Sequence, residues 1–239
     1  VSTDPADLPA EPRVSYTVLR PGAPHTAELE VRKSRFLAVL GRVDSEDEAR
    51  ELIARTAAEH RDARHHCTAF VLGPGREVAR SSDDGEPSGT AGMPILQALT
   101  QYATPRQHAA GAPGDLSDVC AVVVRWFGGV KLGAGGLVRA YSGAVSAALQ
   151  GAPLLRRLRC REVDLTAAHA DAGRVEAELR AQGFTVQPTD YDAARATLHL
   201  LVPDLPAELR AAQEALASIT SGRAAVRLGP PRWRDVPGS

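Results

Sequence analysis

Apolar residues along this chain follow two periods, and the period changes where the elements change. In TAELEVRK (residues 26–33) Ala27, Leu29 and Val31 alternate with Glu28 and Glu30, the rhythm of a strand with one buried face. SYTVLR before it (15–20) and RFLAVLGRV after it (35–43) read as further strands, the first set off by Pro21–Gly22. Then the spacing widens. Ser45 followed by Glu48 is a capping-box pair, and Ala49, Leu52, Ile53, Thr56 and Ala57 recur at helical spacing, which predicts a helix over 46–60. HHCTAFVLG and REVARSS predict a hairpin around GPG, and AGMPILQALTQYA a helix that tolerates Pro94 in its first turn. DVCAVVVRWF (118–127) is unbroken, β-branched and short of turn residues, as a strand buried on both faces should be. A glycine-rich segment follows. Leu137, Tyr141, Ala144, Val145 and Ala148 then mark one face of a long helix ending near Gly151–Ala152–Pro153.

Past Pro153 the pattern begins again. LRCREVDLTAA is a strand, ADAGRVEAELRAQG a helix stopped by Gly183, FTVQPTDY and ARATLHLLVP strands, AELRAAQEALASI a helix and AAVRLG a last strand. This βαββαβ order is the ferredoxin-like pattern. The predicted fold class is therefore α+β, in four parts. A Pro- and acid-rich disordered tail covers 1–14, an α/β domain 15–153, a ferredoxin-like domain 154–230 and a tail 231–239. Pro230 and Pro231 end the last strand, and Arg232–Trp233–Arg234 is expected to dock back onto its own domain.

Composition narrows the field. The chain has 239 residues, a formal net charge of −1, and ordinary apolar and charged content, so no global field draws it to nucleic acid or an anionic membrane. Any anion site must be local. Of 28 basic residues only Lys33 and Lys131 are lysine, compact point charges that arginine's planar fork does not reproduce. Cys67, Cys120 and Cys160 are odd in number and far apart, which argues for a reducing compartment without a disulfide framework. No apolar stretch resembles a signal core or a membrane span, so a soluble cytoplasmic protein is expected. Nothing in the pattern specifies an oligomeric state.

Two loops carry candidate chemistry. RWFGGVKLGAGGLVRAY (125–141) joins a strand to a helix through glycines, and helix N-termini expose unpaired N–H groups with partial positive charge. Gly128, Gly129, Gly133, Gly135 and Gly136 would let an anion approach the backbone, with Lys131 and Arg139 adding charge and Trp126 or Phe127 offering a stacking face. The loop is neither a Walker A motif, lacking Gly-Lys-Ser/Thr, nor a dinucleotide fingerprint. The second loop, SSDDGEPSGTAG, holds Asp83, Asp84 and Glu86 among Ser88 and Thr90. Three carboxylates so close need cations, and the candidates are Lys131, Arg139, Lys33, Arg35 or a divalent metal. Salt-bridging to the glycine loop is preferred, because nothing else in the segment completes an oxygen-ligand set. His65–His66–Cys67 brings only His65 and Cys67 to one strand face, too few for zinc, and Ser88 lacks a nucleophile elbow.

KSRF (33–36), HHCTAF (65–70), DDGEPSGTAGMPIL (83–96) and RWFGGVKLGAGGLVRAYSGAV (125–145) together resemble the IMPACT/YigZ family. The restart after Pro153 is similar to the extra C-terminal domain of its bacterial YigZ branch. The resemblance implies a first domain with the α/β fold of a ribosomal small-subunit protein and of elongation factors, and translation-linked binding rather than a defined reaction. The basic residue usual after TAG in the family is Met93 here, which moves phosphate binding towards Lys131 and Arg139. The reading that follows is a non-enzymatic, cofactor-free module whose mixed-charge groove takes RNA phosphate or a ribosome-associated protein, with Lys33 and Arg35 beside it. The alternative is an enzyme acting on a nucleotide or phosphorylated small molecule, with Mg²⁺ held by Asp83, Asp84 and Glu86.

Overall fold

A computed structural model describes residues 13–222 and 224–237. The predicted disorder of the N-terminal tail falls almost wholly on residues 1–12, outside the described residues. The chain forms two compact units, one of Tyr16–Arg156 and one of Arg157–Val236 with residues 13–15.

The first unit runs β1 (Ser15–Leu19), β2 (His25–Val31), β3 (Ser34–Arg42), α1 (Glu46–Glu59), β4 (His65–Leu72), β5 (Val78–Ser82), α2 (Gly92–Gln101), α3 (Pro105–Ala109), β6 (Val119–Trp126) and α4 (Ala134–Gly151). Five of its strands form an antiparallel sheet in the order β2-β3-β6-β4-β5. β6 sits at the centre, with Val119 through Val124 fully buried. Its apolar run is continuous because both faces are covered. Ala121 and Val123 lie with Cys67, Ala69, Phe36 and Ala38 under α2 and α4, whereas Val122 and Val124 lie with Phe70, Val39 and Leu52 under α1. Ser45 caps α1 by accepting from the Glu48 amide at 3.2 Å, as the sequence predicts.

The second unit continues with β7 (Leu154–Ala167), α5 (His169–Ala181), β8 (Thr185–Val186), β9 (Asp190–Tyr191), β10 (Ala196–Pro203), α6 (Pro206–Thr220) and β11 (Ala225–Pro237). β10 pairs antiparallel with β7 and β8, and β11 pairs β7, so the order β11-β7-β10-β8 with two helices is the ferredoxin-like arrangement. Val163, Leu165, Leu198 and Leu200 pack with Val175, Leu179 and Leu216 of the helices.

Two sequence expectations need correction here. FTVQPTDY is not one strand but two short ones around Pro188. Pro230 and Pro231 do not end the last strand, and the predicted tail does not start at 231: β11 passes through both prolines to Pro237, taking half-buried Trp233 with it. β11 is paired through β7 at the sheet's edge, where many N–H groups have no ladder partner and proline is tolerated.

Candidate functional site

The acidic loop and the glycine-loop helix do meet, but through different residues from those expected. Strand parity turns Arg125 to the α2/α4 face of the sheet, directly opposite His65 on β4 and Phe36 on β3. Its Nη1 donates to Glu86 Oε1 at 2.5 Å, with both side chains buried (7% and 4% exposed). Tyr141, two turns into α4, donates its hydroxyl to the same oxygen at 2.8 Å, and His65 Nε2 lies 4.0 Å away. Cys67 Sγ sits 3.0 Å from the Asp83 carbonyl oxygen and 3.3 Å from the Tyr141 hydroxyl. Burial pushes the Cys67 thiol up to about 12, so it is no nucleophile at neutral pH. Burial also raises the Tyr141 phenol, and the Glu86 carboxylate beside it adds to the shift. Arg125 Nε is buried without a partner among the described residues.

The other two carboxylates serve the backbone. Asp83 accepts from the amides of Gly89, Ala91 and Gly92 at 2.8, 3.0 and 2.8 Å, which ties down the start of α2. Partial burial alone would raise its carboxyl; the three N–H donors outweigh that and hold it below the usual range. Asp84, at φ 42°, accepts from the His66 amide at 2.6 Å and offers its carbonyl to His65 Nδ1 at 2.8 Å. Thr90 is buried, with its hydroxyl donating to the Pro87 carbonyl, and Ser88 is exposed. The predicted pairing of these acids with Lys131, Arg139, Lys33 or Arg35 is therefore overturned: Arg125 neutralises Glu86 and backbone amides neutralise Asp83. Asp83 and Glu86 thus spend carboxylate oxygens on partners within the protein, and the three acids of this loop do not gather as one ligand group among the described residues. Among the described residues, the His/Cys/Asp/Glu group close enough to share an ion lies in the second unit.

Trp126 also moves. Parity puts it on the α1 face, where Arg35 stacks 3.8 Å above its ring and its Nε1 donates to Asp62 at 2.8 Å. Neither partner is free for a nucleic acid. Phe127 remains half exposed, its ring 5.6 Å from the Arg125 guanidinium.

The glycine loop keeps its cationic character. A Cβ on Gly128 would fall 1.9 Å from the Lys33 carbonyl oxygen, and the Gly128 amide donates to Ser34 Oγ, so this glycine packs the loop onto the β2–β3 turn instead of facing an anion. Gly133, the N-cap of α4, has φ 71° and ψ 165°, a conformation that glycine alone adopts easily. Among the described residues no side chain caps this helix. Gly129 and Gly135 have open space around them. Beside the first turn lies a cleft of about 180 Å³ lined by Val31, Arg32, Leu132, Gly136, Arg139 and Ala140. Arg32 and Lys33 form the hairpin turn, both at positive φ (48° and 65°). Arg32, Lys33, Lys131 and Arg139 are exposed, and among the described residues no acid pairs with any of them. Sequence reasoning missed Arg32, Arg125 and Tyr141 as members of the site. An arginine within a β-branched strand was the signal for Arg125, since a buried charge requires a partner.

The chain matches known proteins along most of its length. Residues 32–149 match the Impact N-terminal domain and residues 165–223 a domain of unknown function, DUF1949. IMPACT family member YvyE of Bacillus subtilis is 35% identical over 215 residues, covering 90% of this chain and 91% of that protein. IMPACT family member YigZ of Escherichia coli is 37% identical over 177 residues, covering 73% and 81%. A crystal structure of a hypothetical protein, 34% identical, superposes with a TM-score of 0.52 over 90% of this chain and 97% of that one. On both its sequence matches and its two-part α+β organisation, the chain belongs to the IMPACT family.

Proposed function

We propose that this protein is a translation-associated binding module, without catalytic activity, that takes the phosphate backbone of single-stranded RNA at the start of α4. One observation carries the reading: α4 opens without a side-chain cap beside a cleft flanked by Arg32 and Arg139, two exposed guanidinium groups that meet no acid among the described residues. A phosphate seated there accepts from the first-turn N–H groups of Ala134, Gly135 and Gly136 and pairs with both arginines. Lys33 and Lys131 extend the cationic stripe, and Phe127 supplies the stacking face assigned from sequence to Trp126 or Phe127. The net charge of −1 gives no help from the rest of the chain, so affinity rests on this patch and falls steeply with salt. Translation as the setting is supported by the family resemblance.

The test is fluorescence anisotropy with a short single-stranded RNA. Arg32→Ala/Arg139→Ala is expected to weaken binding at least tenfold with unchanged melting. Equal affinity in that variant, or no RNA affinity in the parent at low salt, refutes the proposal; the second result turns attention to a protein partner on the same patch.

A further inference from the structure

The second unit presents a sheet face that its helices leave open. Val163, Leu165, Leu198 and Leu200 point under α5 and α6, so strand alternation turns Glu162, Asp164 and His199 the other way. The β7–β10 register sets His199 directly opposite Asp164, and Glu162 stands two residues along the same face. His199 Nδ1 lies 2.7 Å from Asp164 Oδ1 and 3.9 Å from Glu162 Oε1. One donor atom from each of the three residues falls within 4.8 Å of the others. On its far side, His199 Nε2 faces Asp190 Oδ2 of β9 at 3.1 Å. From β11, Arg227 holds the second Asp164 oxygen at 2.5 Å.

We propose that Glu162, Asp164 and His199 form a site for a divalent transition-metal ion of the zinc class. The donor set is one imidazole nitrogen and two carboxylate oxygens, which suits zinc and its neighbours better than the all-oxygen preference of calcium or magnesium. Asp190 completes the arrangement. A metal-bound imidazole usually donates its other N–H to a carboxylate, which fixes the ring, and here that carboxylate is already in place. Arg227 leaves Asp164 Oδ1 for the ion while holding Oδ2. Charge agrees as well: once the ion takes the place of the Nδ1 proton, the carboxylates of Glu162, Asp164 and Asp190 against the Arg227 guanidinium leave two negative charges around the imidazole, which a divalent ion balances. Tetrahedral bonds of about 2.0–2.1 Å set neighbouring ligands roughly 3.3 Å apart, so Nδ1 and Oδ1 part by about 0.6 Å and Glu162 closes by a similar amount. The Glu162 side chain is 36% exposed and has room to turn.

The test is zinc titration of the tag-free full chain by calorimetry, with cobalt(II) absorption as an independent readout of coordination. One equivalent of zinc should bind to the parent. His199→Gln and Glu162→Gln should each abolish or sharply weaken binding, and Asp190→Asn should weaken it about 10–100-fold. Each variant is compared by circular dichroism with the parent, and Glu162→Gln, on the open face, is the variant least exposed to folding defects. Failure of the parent to bind zinc overturns the proposal, as does binding that persists unchanged in folded His199→Gln and Glu162→Gln.

Discussion

Replacing Arg125 by Met removes a cation and leaves Glu86 almost wholly buried against the sheet. The two side chains are 7% and 4% exposed, so water cannot substitute for the lost guanidinium. Breaking a buried pair by deleting one partner costs about 3–5 kcal/mol, chiefly the penalty of the stranded charge. Glu86 keeps the Tyr141 hydroxyl at 2.8 Å, which favours the lower end, near ~3 kcal/mol. For a unit of this size that lowers Tm by roughly 6–12 °C. The chain has two tryptophans, and a Trp233→Phe background leaves Trp126 to report on the first unit alone during urea unfolding. Changing both partners, Arg125→Met with Glu86→Gln, removes the stranded charge and keeps an acceptor for Tyr141. That double variant should recover about half the loss or more. A single variant that loses less than about 1 kcal/mol, or a double variant no better than the single, would refute the account of the cluster.

Other consequences are local. Asp83→Ala should cost about 1–2 kcal/mol, as loss of a helix cap does, and hydrogen exchange at the Gly89, Ala91 and Gly92 amides should quicken. Because the Asp83 carboxyl lies below its unfolded value, near ~3.9, its contribution is complete above that pH and fades as pH falls through the lowered native value. The stability gap between parent and Asp83→Ala should therefore be full at neutral pH and shrink in strong acid; a gap that widens in acid contradicts the assignment. Gly133→Ala forces a side chain into φ 71°, ψ 165°, which costs of order 1–3 kcal/mol by the same urea assay, and an unperturbed midpoint would show that the N-cap relaxes freely.

The parts of the fold governed by neighbours in sequence were legible. Ser45 and Glu48 announce α1 because the N-cap bond closes within four residues, and β6 announces itself because both its faces are apolar. What the chain conceals is which partners meet across it. Arg125 and Glu86 are 39 residues apart, and only strand parity together with the β4–β6 register places the guanidinium on the carboxylate. The same parity sends Trp126 to the opposite face, where Arg35 occupies it, an outcome that aromatic content beside a glycine loop does not reveal. The prolines of β11 misled for another reason: they are breakers in a central strand and tolerable at an edge, and edge status is a property of the sheet.

The central claim is that phosphate binds at the α4 rim, and the salt dependence of RNA affinity tests it most directly. Each phosphate contact on a single strand contributes about −0.7 to the slope of log affinity against log salt. Lys131→Ala/Arg139→Ala should flatten that slope by about 1.4 relative to the parent, whereas an unchanged slope would contradict the account.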